Sequence, residues 1–190
     1  LDKGAEVDRA TEDGRTPLYV ACSTGHADAA KLLLNKGAAV DRANQNGATP
    51  LYVACQNGHI AAARLLLENG AEVDRAKEDG WTPLLIACWK GHVDAAKLLL
   101  EKGADVNRAR VEDGATPLLI AKSKGHSTIV ALLEAKAAEE RRQRLAAEAQ
   151  AAEAERKLRA AEAKSAEAER RRRAAAKVKR DDAKAKDFFS

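Results

Sequence analysis

Short apolar runs return along the chain at a fixed spacing. Leu32 to Leu34, Leu65 to Leu67 and Leu98 to Leu100 stand 33 residues apart. A second kind of run precedes each: Leu18 to Ala21, Leu51 to Ala54, Leu84 to Ala87 and, in a fourth row, Leu118 to Ala121. Thr-Pro opens every one of these, at Thr16-Pro17, Thr49-Pro50, Thr82-Pro83 and Thr116-Pro117, the last a residue late after an insertion near Val111. Threonine at the N-cap with proline at the first helical position starts a helix. Leu18, Ala21, Leu51 and Ala54 supply its narrow apolar face. Gly25-His26, Gly58-His59, Gly91-His92 and Gly125-His126 break it, and a second helix is expected from around Asp28, Ala61 or Asp94. Gly37, Gly70 and Gly103 end that second helix as left-handed C′ residues. Asp13-Gly14, Asn46-Gly47, Asp79-Gly80 and Asp113-Gly114 predict tight turns between rows, since both residues tolerate positive φ.

A period near 33 marks a repeat array. Helices this short are marginal alone and persist by packing, so the rows must stack into one elongated solenoid core. The TPLYVA, TPLYVA, TPLLIA and TPLLIA segments, with the recurring Gly-His and Leu-Leu-Leu, resemble the ankyrin repeat family over about residues 1–136. The resemblance implies an all-α ankyrin-repeat solenoid of helix-turn-helix units with β-hairpin loops. The family's usual histidine after TPL is replaced by Tyr19, Tyr52, Leu85 and Leu119, which removes one expected polar tie per repeat. On this reading residues 1–12 are the end of a truncated repeat and 13–136 are four repeats. A charged helical tail occupies 137–187, and 188–190 are the C-terminal end. The opening LDKGAEVDRA aligns with Leu34 onward, so the sequence is expected to be a fragment or an incomplete gene model.

The chain changes character after Gly125, its last glycine. Ala137 stands at the place of Gly37, Gly70 and Gly103, so the second helix of the fourth repeat is expected to run on as a long Ala/Glu/Arg-rich helix. From Glu134 to Asp187 there are 17 Lys/Arg, 12 Asp/Glu and 19 alanines. Against a whole-chain charge of +4, that segment alone holds +5. Alanine is the best helix former. Glu140/Arg144, Glu153/Lys157, Glu155/Arg159, Glu167/Arg171 and Glu169/Arg173 are i,i+4 pairs in the favourable order. A helix from Ser127 to Lys186 spans about 90 Å. A coiled-coil seam wants large apolar residues at a and d, and beyond Leu133 only Leu145, Leu158 and Val178 qualify before Phe188-Phe189. Two readings stand: a solvated single helix held by its charges, and a weakly self-associating coiled coil.

Composition fits a water-soluble, intracellular, cytoplasmic protein. Aromatics are 3% of residues, so alanine and leucine carry the packing. No run approaches the roughly 18 apolar residues of a membrane span, and no signal peptide opens the chain. Cys22, Cys55 and Cys88 share one row position, each four before a histidine, but each row offers only two such ligands and the fourth has Lys122. Helices stack about 8–10 Å apart, beyond the roughly 7 Å reach of a disulfide. Buried thiols in a reducing compartment are expected, with no metal and no cofactor. Asp8, Asp41, Asp74 and Asn107 repeat at one hairpin position and read as structural. There is no Gly-rich phosphate loop, HExxH, CxxC or arguable Ser-His-Asp set, so no enzyme is expected within these residues.

What distinguishes one row from another is left for a partner. Trp81 takes the hairpin-tip place of Arg15, Ala48 and Ala115. Trp89 and Lys90 take the places of Ser23-Thr24, Gln56-Asn57 and Ser123-Lys124 at the end of the first helix. The ankyrin resemblance implies that these positions line a concave face where partner proteins bind. Two tryptophans there suit hot-spot anchors. Replacing them by their repeat-2 equivalents, Trp81→Ala with Trp89→Gln, is expected to cost little stability. The competing reading rests on the basic run Arg170, Arg171, Arg172, Arg173, Lys177, Lys179 and Arg180, as a nuclear-import signal or an attractor of nucleic acid or anionic membrane. No aromatic interleaves those charges for base stacking, and alanine stands where a membrane-surface helix wants Leu or Phe. A solvated helix face and a protein partner are therefore favoured.

Overall fold

A computed structural model of the protein describes residues 6–188, with side chains described as far as Lys177. The expectations placed on residues 1–5, on the Lys179 and Arg180 side chains and on the C-terminal end lie outside that range. Eight helices are present among the described residues: α1 Pro17–Ser23, α2 Ala27–Asn35, α3 Pro50–Asn57, α4 Ile60–Glu68, α5 Pro83–Lys90, α6 Val93–Glu101, α7 Pro117–Ser123 and α8 Ser127–Phe188. No strand occurs among the described residues. The chain divides into two compact units, Leu1–Glu139 and Glu140–Ser190.

In the first unit each Thr-Pro opens a helix. The hydroxyl oxygens of Thr16, Thr49, Thr82 and Thr116 accept the amides of Tyr19, Tyr52, Leu85 and Leu119 at 3.1, 3.1, 3.2 and 3.3 Å. The second helices begin at Ala27, Ile60 and Val93, one residue before the expected starts. The hairpins correct one expectation: glycine alone takes positive φ, and none of the described non-glycine residues does. The first hairpin shows why. Gly14 donates to the Thr11 carbonyl and Thr11 donates to that of Arg15, so a four-residue turn closes with only its last residue left-handed. In the fourth hairpin the closure runs from Arg110 to Ala115, and the inserted Val111 is looped out at 91% exposure.

The first helices α1, α3, α5 and α7 lie side by side, and α2, α4 and α6 form a second layer behind them. Leu51, Leu66, Leu84 and Leu99 are fully buried between the layers, each contributing about 1.5–3 kcal/mol by removal from water. Alanines let the helices approach: Ala54, Ala62, Ala63, Ala87, Ala95 and Ala96 are also wholly enclosed. One position shows what a neighbouring repeat does. Val53, Ile86 and Ile120 are at most 6% exposed, whereas Val20, their equivalent in the first row, is 43% exposed beside an open apolar groove of about 520 Å³ that includes Ala29 and Leu33.

Polar groups repeat along with the apolar ones. The Asp8, Asp41 and Asp74 carboxylates accept the backbone amides of Ala39, Glu72 and Asp105 one row on, at 3.0–3.1 Å for the nearer oxygen. Nε2 of His92 donates to the Gln56 carbonyl at 3.1 Å, and Nε2 of His126 to that of Trp89 at 3.3 Å. These two histidines tie rows together, whereas Nδ1 of His26 meets the Thr24 hydroxyl of its own row at 2.7 Å. The tyrosines at the family's histidine position recover part of the missing tie: Asn44 Nδ2 donates to the Tyr19 hydroxyl at 3.4 Å, and Lys77 lies 5.6 Å over the Tyr52 ring.

Helix α8 opens inside the core, where Ile129 and Leu133 are buried. It continues through Ala137 as the missing glycine predicts. Within the second unit every side chain described from Arg141 onward is exposed, with Leu145 at 52% and Leu158 at 60%. Glu153–Lys157, Glu155–Arg159, Glu167–Arg171 and Glu169–Arg173 pair at 2.6, 2.5, 2.7 and 2.5 Å. Arg144 departs from expectation and turns forward to Glu148 at 3.5 Å, leaving Glu140.

Candidate functional site

Trp81 closes the third hairpin, its carbonyl accepting from the Lys77 amide, and packs half-buried against the core. Trp89 lies in the last turn of α5 and is 40% exposed. Thr82 caps α5, so Trp81 stands just ahead of the helix whose last turn carries Trp89. The two rings meet edge to face, with centroids 5.5 Å apart and planes at 89°. Such T-shaped pairs set the positive edge of one ring on the negative face of the other.

The fourth repeat completes the arrangement. The Arg110 guanidinium sits 5.0 Å over the Trp81 ring, and the Lys124 ammonium 3.3 Å over that of Trp89. Arg110 is itself held by Asp113, to which Nε donates at 2.8 Å beside a second bond from a terminal nitrogen. Those bonds hold the Asp113 carboxyl down at about 2 and push the Arg110 pKa up, so the pair stays charged at neutral pH. Trp81, Trp89, Arg110, Asp113, Ala115, Leu119, Ile120 and Ser123 line one groove of about 210 Å³. Leu119, at the position of the family's histidine, is 57% exposed.

The other row-specific residues fare differently. Arg15 is exposed and bonded to Asp13. Ser23 and Thr24 each donate to the Val20 carbonyl, at 3.0 and 2.9 Å. Gln56 is half-buried, and Asn57 donates to the Ser23 carbonyl at 2.7 Å, linking two rows. Ala48 is 4% exposed and has no side-chain surface to offer. Lys90 is exposed next to Trp89. Ala115 and Ser123 fall in the groove, and Lys124 on its rim. Arg110, Asp113 and Leu119 are the site residues that sequence reasoning passed over. Their signal was weak: Asp113 repeats Asp13 and Asp79, Leu119 repeats Leu85, and only Arg110 differs from all its row equivalents, as many solvated residues do.

The basic run is not part of this groove. Arg171 and Arg173 are paired within α8, while Arg170, Arg172 and Lys177 are exposed. Cys22, Cys55 and Cys88 are free and buried, and burial pushes each thiol up to about 12. At neutral pH they are protonated, which suits packing rather than nucleophilic or ligating work. No helix among the described residues is long and apolar enough to cross a membrane.

These features define a class: stacked helix pairs joined by glycine-tipped hairpins, carrying an aromatic groove where the third and fourth repeats meet. The family model for ankyrin repeats, three copies long, matches residues 1–77, 44–110 and 75–144. The chain therefore belongs to the ankyrin repeat family. No curated protein matches it. Ankyrin repeats are a non-catalytic scaffold class and serve in general as protein–protein interaction modules.

Proposed function

We propose that this protein is an interaction module that docks a partner protein on its hairpin and first-helix face, centred on Trp81 and Trp89. The observation that carries this reading is the meeting of the two tryptophans at 5.5 Å in a groove, with Trp89 left 40% exposed. Both are peculiar to one row, and the fold does not require a ring at either place, since Ala48 and Gln56 stand there one repeat earlier. Aromatic residues in a partly enclosed apolar groove are the usual anchors of binding energy.

The test compares the wild type with Trp81→Ala/Trp89→Gln. A nuclease-treated pull-down recovers protein partners and removes those bridged by nucleic acid, and the recovered partner is then titrated against both chains. Loss of two hot-spot rings lowers affinity by about 2 kcal/mol or more, roughly thirtyfold. Equal affinity for the two chains removes the tryptophans from the binding face. Thermal unfolding of both chains separates lost binding from lost fold.

A further inference from the structure

The surroundings of the groove restrict what enters it, on the reading above that this face binds protein. Its lining is mostly apolar, the two indole rings with Ala115, Leu119 and Ile120, and Arg110, Asp113 and Ser123 are its polar members. Its volume of about 210 Å³ compares with the roughly 150 Å³ apolar cavity that accepts a benzene ring. One ring or one large aliphatic side chain fits.

The charge around this slot is unevenly placed. Arg110, Lys124 and Lys90 stand at or beside it, and the carboxylates near it, Asp113, Glu112 and Asp79, act on Arg110. Arg110 uses Asp113 fully, with two of its nitrogens. Lys124 rests on the Trp89 ring, and among the described residues neither it nor Lys90 has an acidic partner. An ammonium on an indole face is held by the ring quadrupole alone. It remains free to take a carboxylate brought by a ligand, and does so while still covering the ring. The opposite preference is built against, because a basic ligand residue meets Lys124 and Lys90 with no carboxylate to relieve it.

We infer that the groove takes a single aromatic or large aliphatic side chain of a partner protein, flanked within a residue or two by Asp or Glu. The apolar side chain enters between Trp81, Trp89 and Leu119, and the carboxylate bonds Lys124 at the rim. The rings supply affinity, and the lysine supplies selection and salt dependence.

Random dodecapeptides displayed on phage test this when selected against the wild type, Trp81→Ala/Trp89→Gln and Lys124→Glu. The wild type should enrich peptides with an aromatic or leucine next to Asp or Glu. Lys124→Glu, an exposed change that leaves the core untouched, should keep the apolar residue and lose or reverse the acidic flank. Synthetic wild-type winners should bind it about fivefold more weakly. Enrichment that depends on the tryptophans but shows no acidic flank overturns the inference and leaves the face intact. Peptides that bind the double tryptophan variant as well as the wild type overturn the reading of the face itself.

Discussion

The imidazole of His92 lies against Gly58 of the preceding repeat, where a Cβ on that glycine would come within 2.9 Å of the ring. Gly58 also has φ +73, which L residues rarely adopt. Two demands thus fall on one residue, a backbone one from its own helix end and a packing one from the next row. Gly70 isolates the first: its φ is +86, but nothing lies within 4 Å of the place its Cβ would take.

Gly70→Ala is therefore expected to cost about 1–2 kcal/mol, the left-handed penalty alone. Gly58→Ala should cost that much and more, because His92 must also leave the Gln56 carbonyl it bonds. Urea denaturation of the two variants measures the difference. Equal losses would show that the histidine yields freely and that the contact is not a constraint.

The tryptophans should be coupled to one another. The sequence alone gives them little to do in the fold, but the structure gives each a ring partner and a cation. An edge-to-face pair is worth about 0.5–1.5 kcal/mol beyond its buried area. Trp81→Ala with Trp89→Gln should consequently lose about 1–3 kcal/mol once the two cation contacts are included. A double-mutant cycle on folding free energy should return a coupling within the first range. Strict additivity would reduce the ring contact to mere adjacency.

Stability should fall in alkali. Cys22, Cys55 and Cys88 are held up at about 12 by burial, while in the unfolded chain they ionise near the ordinary thiol value. Between those values the native state binds more protons than the unfolded one, so unfolding free energy decreases as pH rises. The slope approaches about 1.4 kcal/mol per pH unit for each thiol. Tyr52, also pushed up to about 12 by burial, adds to the slope above pH 10. Urea midpoints from pH 8 to 11 should drop steadily, and the triple Cys→Ala variant should drop less steeply. A flat profile would mean that the thiols meet water in the folded state. The same burial makes native thiols slow toward Ellman's reagent at pH 8.

Restoring the missing stop signal gives a further test. Ala137 lies inside α8, where earlier rows place a left-handed glycine. Ala137→Gly should weaken the helix there by about 1 kcal/mol. Amide exchange through Ala138 to Arg141 should accelerate about fivefold, while exchange in α5 is unchanged. No local acceleration would show that the helix does not depend on alanine at this point.

The helices and their order were legible because each has a local cause. Thr-Pro, Gly-His and the closing glycines act through their own few residues, and Ala137 announces by substitution that a stop has gone. The groove was only half legible. Trp81 and Trp89 stand out within their row, but Arg110 and Lys124 reach them from 29 and 35 residues on, a distance fixed by how repeats stack. The insertion at Val111 adds to the difficulty, since it offsets the fourth row just where the groove is built. Ala48 shows the converse error. It shares a column with Trp81, yet a methyl group there sinks into the surface that a ring would rise above.

Because the groove draws on the ends of two consecutive repeats, it belongs to neither as a hereditary unit. Rows as alike as TPLYVAC and TPLYVAC invite unequal crossing-over, and an exchange on either side of Asn107 would keep a sound fold while parting Trp81 and Trp89 from Arg110, Leu119 and Lys124. A change in the number of rows at that one junction therefore leaves the tryptophan pair in its own row and takes away the two cations that lie on it.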